Sequence, residues 1–156
     1  MSYRVGLGVD AHAFADGVPL VLGGVRFDSP RGLAGHSDGD VITHALIDAM
    51  LGAAGLGDIG SLFPSDSSTP EGISSLDLLR DALGQVRDAG YAVVNVDCIL
   101  IGEEPRISAR RAELEETLTE LVGAPVTVRA TTTDNLGFTG RGEGLAAEAV
   151  ALVRRS

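Results

Sequence analysis

The feature that most constrains the fold is a carboxylate and two imidazoles spaced so that they could share one metal ion. Asp10 and His12 lie two residues apart at the end of a predicted strand, and side chains at that spacing point to the same face of a sheet. His44 lies within a predicted helix further along the chain. For the three side chains to meet, the fold must bring the first strand against the first helix.

Three ligands of this kind would leave a fourth tetrahedral position open, which is typical of catalytic rather than structural zinc. Imidazole and carboxylate also suit manganese and iron, so the spacing alone does not select the metal. The alternative is that His12 and His44 are isolated polar residues at the ends of elements. We favour a metal site because all three histidines of the chain, His36 included, fall in or beside this group.

The composition predicts one globular domain over residues 1–156, with 44% hydrophobic and 22% charged residues. The lone Cys98 cannot form an intramolecular disulfide, which favours a reducing, cytoplasmic location. A net charge of −10 disfavours nucleic acid and anionic lipid as partners. No apolar run is long enough for a membrane helix or a signal peptide. Any bound phosphate must then be neutralised by metal ions, backbone N–H groups and a few arginines.

Hydrophobic periodicity and turn residues predict the remaining elements. A glycine pair, Gly23-Gly24, splits a hairpin, and a capping box of Ser74 and Asp77 opens the second helix. The predicted strands are 3–9, 91–102 and 125–133, the hairpin is 18–27, the helices run from Ser37 or Asp38 to about 55, from 74 to 89 and from Pro105 to about 122, and the loops are 56–72 and 135–144.

The order of these elements predicts an α+β fold, in which helices cover one face of a mixed sheet and include a ferredoxin-like, split βαβ unit. The last segment, 145–155, is ambiguous. Its alanines favour a helix, whereas its alternation of valine and alanine permits a strand.

Polar residues near the three histidines have either structural or functional interpretations. Ser37 or Asp38 could simply cap the first helix, while His36 could donate to a phosphate near that helix N-terminus. Asp40 and Asp48 lie one helical turn before and after His44, so either could orient its imidazole.

A second polar region follows the strand at 125–133. The hydroxyls of residues 131–133 could bind a diphosphate, although threonine is also common in strands for structural reasons. Asp134 could bind a hard ion such as Mg²⁺, and Arg141 in the glycine-rich turn could bind a phosphate in bidentate fashion.

Four segments, taken together, resemble the family of 2-C-methyl-D-erythritol 2,4-cyclodiphosphate synthases of the non-mevalonate isoprenoid pathway. The combination extends over nearly the whole chain and is highly specific, although each piece alone is not. The segments are 8–14, 35–64, 95–106 and 130–144.

The resemblance implies a phosphorus–oxygen lyase. Such an enzyme converts 4-diphosphocytidyl-2-C-methyl-D-erythritol 2-phosphate into the cyclic diphosphate and releases CMP. It also implies a homotrimer with active sites at subunit interfaces, a zinc ion, and a Mg²⁺ or Mn²⁺ ion with the substrate diphosphate. The last segment, 145–155, is then a strand of the trimer's sheet.

The resemblance also assigns roles to residues. Asp10, His12 and His44 would bind zinc, His36 and Thr132 would stabilise the transition state, and Asp134 would bind the second ion. The expected methylerythritol-phosphate contacts are Ser37, Asp58, Ile59, Gly60, Phe63, Pro64, Ser65, Asp66 and Ser67. The expected nucleotide and diphosphate contacts are Gly102, Pro105, Arg106, Ile107, Ser108, Thr131, Thr133, Phe138 and Arg141.

The chain departs from the family pattern where Asp134 replaces a frequent glutamate and Arg106 a frequent lysine, and the loop after Pro64 is less acidic than is usual. Two other functions compete with the synthase. One is a zinc hydrolase of nucleotide diphosphates that uses metal-bound hydroxide. The other is a trimeric binding protein for nucleotides or isoprenoid phosphates without turnover.

Overall fold

The computed structural model describes residues 2–156, which form a mixed five-stranded sheet and a separate hairpin. The sheet order is β4 (Arg31–Leu33), β1 (Tyr3–Asp16), β7 (Gly144–Arg155), β5 (Tyr91–Ile101) and β6 (Val126–Thr131). Neighbouring strands are antiparallel except β5 and β6, which are parallel. The hairpin pairs β2 (Leu20–Leu22) with β3 (Val25–Phe27).

The helices are α1 (Val41–Ala54), α2 (Ile59–Leu62), α3 (Ser75–Asp88), α4 (Arg111–Val122) and α5 (Gly137–Gly140), with a 3-10 turn at Ser108–Arg110. Because β7 lies between β1 and β5, which are parallel to each other, the split βαβ arrangement is confirmed. The segment 145–155 is a strand, as the resemblance implied. Within residues 2–156, no helix is long and apolar enough to cross a membrane.

Close contact between α1 and β1 depends on two glycines. A Cβ atom at Gly6 would lie 2.0 Å from the carbonyl oxygen of Ala49, and one at Gly8 would lie 2.0 Å from that of Ala45. The alternation of side chains along a strand places Asp10 and His12 on the same face as these glycines. The first half of β1 therefore allows α1 to pack closely, and Asp10 and His12, which follow, point toward the N-terminal end of α1.

Several predicted boundaries are wrong. Helix α1 is capped by Asp40, not by Ser37 or Asp38. The buried Asp40 carboxylate accepts hydrogen bonds from the N–H groups of Gly23, Gly24 and Thr43 at 2.7–3.1 Å and from the Thr43 hydroxyl at 2.7 Å. It therefore joins the hairpin turn to the helix, and that tertiary contact outweighs the local preference of Ser37 or Asp38.

The other corrections concern helix starts and the first strand. Ser74 makes no side-chain cap, so the predicted capping box with Asp77 does not form. Helix α4 begins at Arg111 rather than near Pro105, after the 3-10 turn. The loop 56–72 contains the short helix α2, for which Asp58 and Ser61 form a capping box. Strand β1 continues past Val9 to Asp16, so Asp10 and His12 lie inside it.

Candidate metal centre

Asp10, His12 and His44 lie together where β1 meets the N-terminal part of α1. The Oδ2 atom of Asp10 is 2.8 Å from Nε2 of His12 and 3.2 Å from Nδ1 of His44, and the two nitrogens are 3.2 Å apart. For metal–ligand bonds of about 2.0–2.1 Å, tetrahedral ligands lie about 3.3 Å apart. The three side chains therefore fit one divalent ion.

The electrostatics of the group favour a bound cation. Burial raises the pKa of Asp10, but its hydrogen bonds with His12 and His44 outweigh this, and the net pKa is below the usual value. The hydrogen bond to Asp10 is the main reason that the pKa of His12 is above its usual value. The Asp10 carboxyl group therefore ionises more readily than usual, and a metal ion would compete with a proton for the His12 imidazole.

The rear nitrogen of His44 contacts two hydroxyls. Its Nε2 atom lies 2.8 Å from Oγ of Ser75 and 3.0 Å from Oγ of Ser37. The prediction that Asp40 or Asp48 orients this imidazole is wrong. Asp40 caps α1, and Asp48 accepts a hydrogen bond of 2.7 Å from the N–H of Ile59, so its carboxylate positions α2.

A pocket opens beside the three ligands, and many of the predicted residues line it. The ring of His36 donates from Nε2 to the carbonyl of Thr69 at 2.6 Å, which fixes the imidazole at the pocket's edge. Besides the ligands, the lining consists of His36, Ser37, Ile59, Gly60, Phe63, Ser65, Thr69 and Leu78.

The remaining residues predicted for the methylerythritol phosphate do not line this pocket. Asp58 caps α2, and the hydrogen bond from the N–H of Ser61 lowers the pKa of its carboxyl group. Asp66 accepts two hydrogen bonds from Ser68, which likewise lower its pKa. Pro64 is half-buried and Ser67 is exposed.

A second pocket lies between the ends of β5 and β6 and the 3-10 turn. Most residues predicted for the nucleotide line it, together with Thr132. The lining consists of Gly102, Glu103, Pro105, Arg106, Ile107, Ser108, Arg111, Ala130, Thr131 and Thr132. These two pockets have no lining residue in common, so Thr132 and His36 are not brought together within one chain.

The turn after β6 lies outside both pockets. Thr133 donates its N–H to Glu103 at 3.2 Å, and its hydroxyl donates to the carbonyl of Leu136 at 2.6 Å. Asp134 adopts a left-handed conformation with φ 52°. Phe138 is exposed, and Arg141 pairs with Glu143 at 2.5 Å.

Sequence reasoning missed four polar residues that line the pockets or contact His44: Ser75, Thr69, Glu103 and Arg111. In the sequence Ser75 is simply one residue of the helix predicted to begin at 74, and Thr69 contributes a backbone carbonyl that any residue could supply. Glu103 and Arg111 are ordinary charged residues in the sequence. No local signal distinguishes the four, because each acquires its contacts from the tertiary fold.

A mixed sheet covered by helices on one face, with an Asp–His–His group beside a pocket, defines an α+β domain that can hold a divalent metal. The chain matches the model of the YgbB family over residues 3–154 and belongs to that family.

Similar proteins and structures agree with this assignment. The chain is 54% identical over 160 residues to the 2-C-methyl-D-erythritol 2,4-cyclodiphosphate synthase of Rubrobacter xylanophilus, covering 99% of this chain and 96% of that protein. A synthase structure described as the form bound to CDP is 35% identical, with a TM-score of 0.87 and coverage of 97% of this chain and 100% of the other. The bifunctional IspDF of Campylobacter jejuni gives a TM-score of 0.95 at 36% identity; the match covers 99% of this chain but only 43% of IspDF.

Proposed function

We propose that this chain converts 4-diphosphocytidyl-2-C-methyl-D-erythritol 2-phosphate into 2-C-methyl-D-erythritol 2,4-cyclodiphosphate and CMP. It would act as a phosphorus–oxygen lyase of the non-mevalonate isoprenoid pathway, with residues 1–156 as one cytoplasmic domain. The observation that carries the proposal is the triangle of Asp10, His12 and His44 beside a pocket, in a chain 54% identical to a protein named for this reaction.

The reaction is an intramolecular phosphoryl transfer. An oxygen of the 2-phosphate forms a bond to the β-phosphorus, and the bond from that phosphorus to the bridging oxygen breaks, so CMP leaves with the electron pair. The attacking phosphate is largely ionised near neutral pH, so no protein base is required. Catalysis then depends on positioning and charge neutralisation, and no covalent intermediate on a protein side chain is needed.

Asp10, His12 and His44 would hold zinc, and Asp134 is the candidate ligand of a Mg²⁺ or Mn²⁺ ion that binds with the diphosphate. These ions would offset much of the repulsion between the two phosphate groups, to which the net charge of −10 on the chain is unfavourable. His36, held by Thr69, would face the reacting phosphates from one side. Ser37, Ile59, Gly60, Phe63 and Ser65 would enclose the methylerythritol phosphate.

The second pocket would bind the cytidine. The ends of β5 and β6 and the turn at 102–108 provide backbone groups and the side chains of Arg106, Ser108 and Thr131. Thr132 would contact the diphosphate there. Phe138 and Arg141 remain candidate contacts on the neighbouring turn, where both side chains are exposed and Arg141 is paired with Glu143.

Two observations support a homotrimer with active sites between subunits. First, the pockets are about 200 and 160 Å³, each smaller than the roughly 300 Å³ at which ligand pockets usually begin. Second, the face of β1 that points away from α1 exposes four apolar side chains. They are Tyr3, Val5, Leu7 and Val9, with exposures of 56–68%. Packing copies of the sheet would cover this strip and join a metal pocket to a nucleotide pocket.

Phosphorus NMR of the purified protein with the proposed substrate and Mg²⁺ tests the reaction. A cyclic diphosphate formed together with an equal amount of CMP is the expected result. CMP with a linear diphosphate would instead identify a hydrolase. Zinc-loaded, folded protein that binds CDP without turnover would identify a binding protein.

A further inference from the structure

Ser75 is completely buried at the first position of α3, with its hydroxyl against the rear of His44. The Oγ atom lies 2.8 Å from Nε2 of the imidazole. The Ser75 hydroxyl also contacts a carboxylate oxygen of Asp38, and its N–H donates to the other oxygen at 3.0 Å. An unbroken chain of polar contacts thus joins Asp38 to the proposed metal ligand.

Donor and acceptor chemistry determines which atom donates in each of these hydrogen bonds. An ionised carboxylate only accepts hydrogen bonds, so the single hydroxyl proton of Ser75 is donated to Asp38. The Ser75 oxygen can then only accept a hydrogen bond from His44. The Nε2 atom of His44 must therefore be protonated and donate that hydrogen bond. The lone pair of the neutral ring is therefore on Nδ1, the atom that lies 3.2 Å from both Asp10 Oδ2 and His12 Nε2.

We propose that Asp38 and Ser75 are positioning residues that hold His44 in the tautomer and orientation required for Nδ1 to bind a metal. The inference rests on the metal centre of the proposed function and extends it to two residues behind the ligand. A carboxylate behind the ligand also makes the imidazole a stronger base, which strengthens its bond to a cation.

Ser37, the other hydroxyl near Nε2, has a different role. Its Oγ atom lies 3.0 Å from Nε2 and accepts the N–H of Gly39 at 3.2 Å, but it makes no hydrogen bond with the Asp38 carboxylate. It also lines the pocket, whereas Ser75 does not. The difference assigns Ser75 to the orientation of His44 and leaves the hydroxyl proton of Ser37 for a ligand in the pocket.

The contacts from Asp38 through Ser75 to His44, here called the relay, also connect the helices around the proposed metal centre. Asp38 donates its N–H to the carbonyl of Ile73, two residues before α3 begins, at 3.1 Å. Its carboxylate accepts the N–H of Asp40, the cap of α1, at 3.1 Å. Its position is therefore set by the N-terminal ends of both helices. A displacement of α3 would reach His44 through these contacts.

The test compares Zn²⁺ affinity in the full chain, measured by competition with a chromogenic chelator. Ser75→Ala removes the hydroxyl, and Asp38→Asn keeps the size and an acceptor oxygen but removes the charge. We expect Ser75→Ala to weaken Zn²⁺ binding by roughly 10–100-fold and Asp38→Asn by less. Ser74→Ala is the matched control, because that neighbouring serine is exposed and its side chain makes no cap. It should bind Zn²⁺ within about twofold of the unchanged chain.

Two further readouts separate positioning from structural support. In the Co²⁺-loaded protein, Ser75→Ala should change the visible ligand-field absorption, whereas Ser74→Ala should not. The melting temperature of metal-free Ser75→Ala should stay close to that of the unchanged chain, although its Zn²⁺ affinity is lower. A purely structural role for Ser75 would give the opposite result, with lower stability and unchanged affinity in the folded fraction.

Several results would overturn the relay. One is a Ser75→Ala chain that binds Zn²⁺ and gives a Co²⁺ spectrum like those of Ser74→Ala. Another is failure of both relay variants to fold without metal, because the contacts would then serve stability. An unchanged chain that binds no Zn²⁺ would remove the metal centre and the relay together. Tight Zn²⁺ binding without cyclic product would count only against the proposed reaction.

Discussion

The two faces of β1 carry different residues for different purposes. The face beneath α1 bears Gly6, Gly8, Asp10 and His12, whereas the opposite face bears an exposed apolar strip of Tyr3, Val5, Leu7 and Val9. The first set allows α1 to pack closely and then supplies two candidate metal ligands. The second set has no partner within the described chain and is proposed to pack against other copies.

This contrast shows how closely the site and the proposed assembly are coupled. The side-chain period of a strand is two, so a register shift of one residue would exchange the two sets completely. Pairing of β1 with β7 from Tyr3↔Arg154 to Ala13↔Gly144 prevents that shift. One strand can therefore serve both purposes, and substitutions on either face should separate them.

The largest effect should come from His44→Ala on the inner side. Loss of one of three ligands should weaken Zn²⁺ binding by more than the roughly 10–100-fold typical of residues behind a ligand, and product formation should fall with it. Metal content after dialysis and the phosphorus NMR assay measure the two losses, with circular dichroism as the check on folding. Full zinc content and an undiminished rate would show that the assigned ligands are wrong.

The next prediction concerns the outer face. Leu7 is 65% exposed in the isolated chain, so Leu7→Asp should fold, yet it would place a charge in the proposed subunit interface. We expect the proposed trimer to dissociate in light-scattering measurements, activity to fall by at least about tenfold, and Zn²⁺ affinity to stay unchanged.

Ser74→Asp adds the same charge at an exposed position that can still cap α3, and it should remain trimeric and active. A Leu7→Asp chain that stays trimeric would place the subunit interface elsewhere. Loss of metal from the same variant would show that the two faces of β1 are not independent.

A smaller effect is expected for Gly8→Ala, which tests the close approach of α1. The new methyl group would meet the Ala45 backbone, next to His44, and overpacking of this kind costs about 1–3 kcal/mol. For a protein of this size, each kcal/mol lowers the melting temperature by about 2–4 °C. We expect both a lower melting temperature and weaker Zn²⁺ binding.

Gly84→Ala in α3 provides the comparison, since a Cβ there meets nothing within 4 Å. It should stabilise the protein by about 0.4–1 kcal/mol and leave metal binding unchanged. A stable, metal-binding Gly8→Ala chain would mean that α1 can move away from β1 without loss of the site.

Sequence reasoning succeeded for features that local structure determines and failed for features that depend on tertiary packing. The spacing of Asp10 and His12 and the helical setting of His44 predict a three-ligand group because side-chain direction depends only on local structure. Strand β7 was harder, since its alanines favour a helix. In the structure, Ala147, Ala149 and Ala151 are fully or almost fully buried in a central strand packed beneath α1. Small residues are needed there for the same steric reason as Gly8, and this outweighs intrinsic propensity.

The features that sequence reasoning missed are contacts between distant segments. Asp40 caps α1 because its carboxylate also binds the turn at Gly23 and Gly24, and no local rule ranks it above Ser37. Ser75 reaches His44 only because α3 packs against α1. Contacts of this kind could be predicted only once the packing of the helices was known.

The smallest effects on activity are expected at Cys98, which lies in β5 and belongs to neither site. Burial, together with the charges of Asp97 and Asp40, raises the pKa of its thiol to about 12. A thiol reagent should therefore leave the folded protein unmodified at pH 8 and react fully in denaturant. Cys98→Ala should retain activity within about twofold, and rapid modification of the folded chain would contradict its assigned burial.

The raised pKa of the Cys98 thiol also makes the stability of the protein depend on pH, and the sign of this dependence can be predicted. In the unfolded chain its pKa is about 8.5, so between pH 8.5 and 12 the unfolded state releases this proton while the folded state keeps it. The free energy of unfolding then decreases as pH rises, by about 1.4 kcal/mol at pH 9.5. The sequence contains no lysine, so no lysine titrates in this range. The difference in stability between the unchanged chain and Cys98→Ala should therefore shift in favour of the variant from pH 7 to 9.5. A constant difference would mean that the folded thiol ionises as readily as the unfolded one.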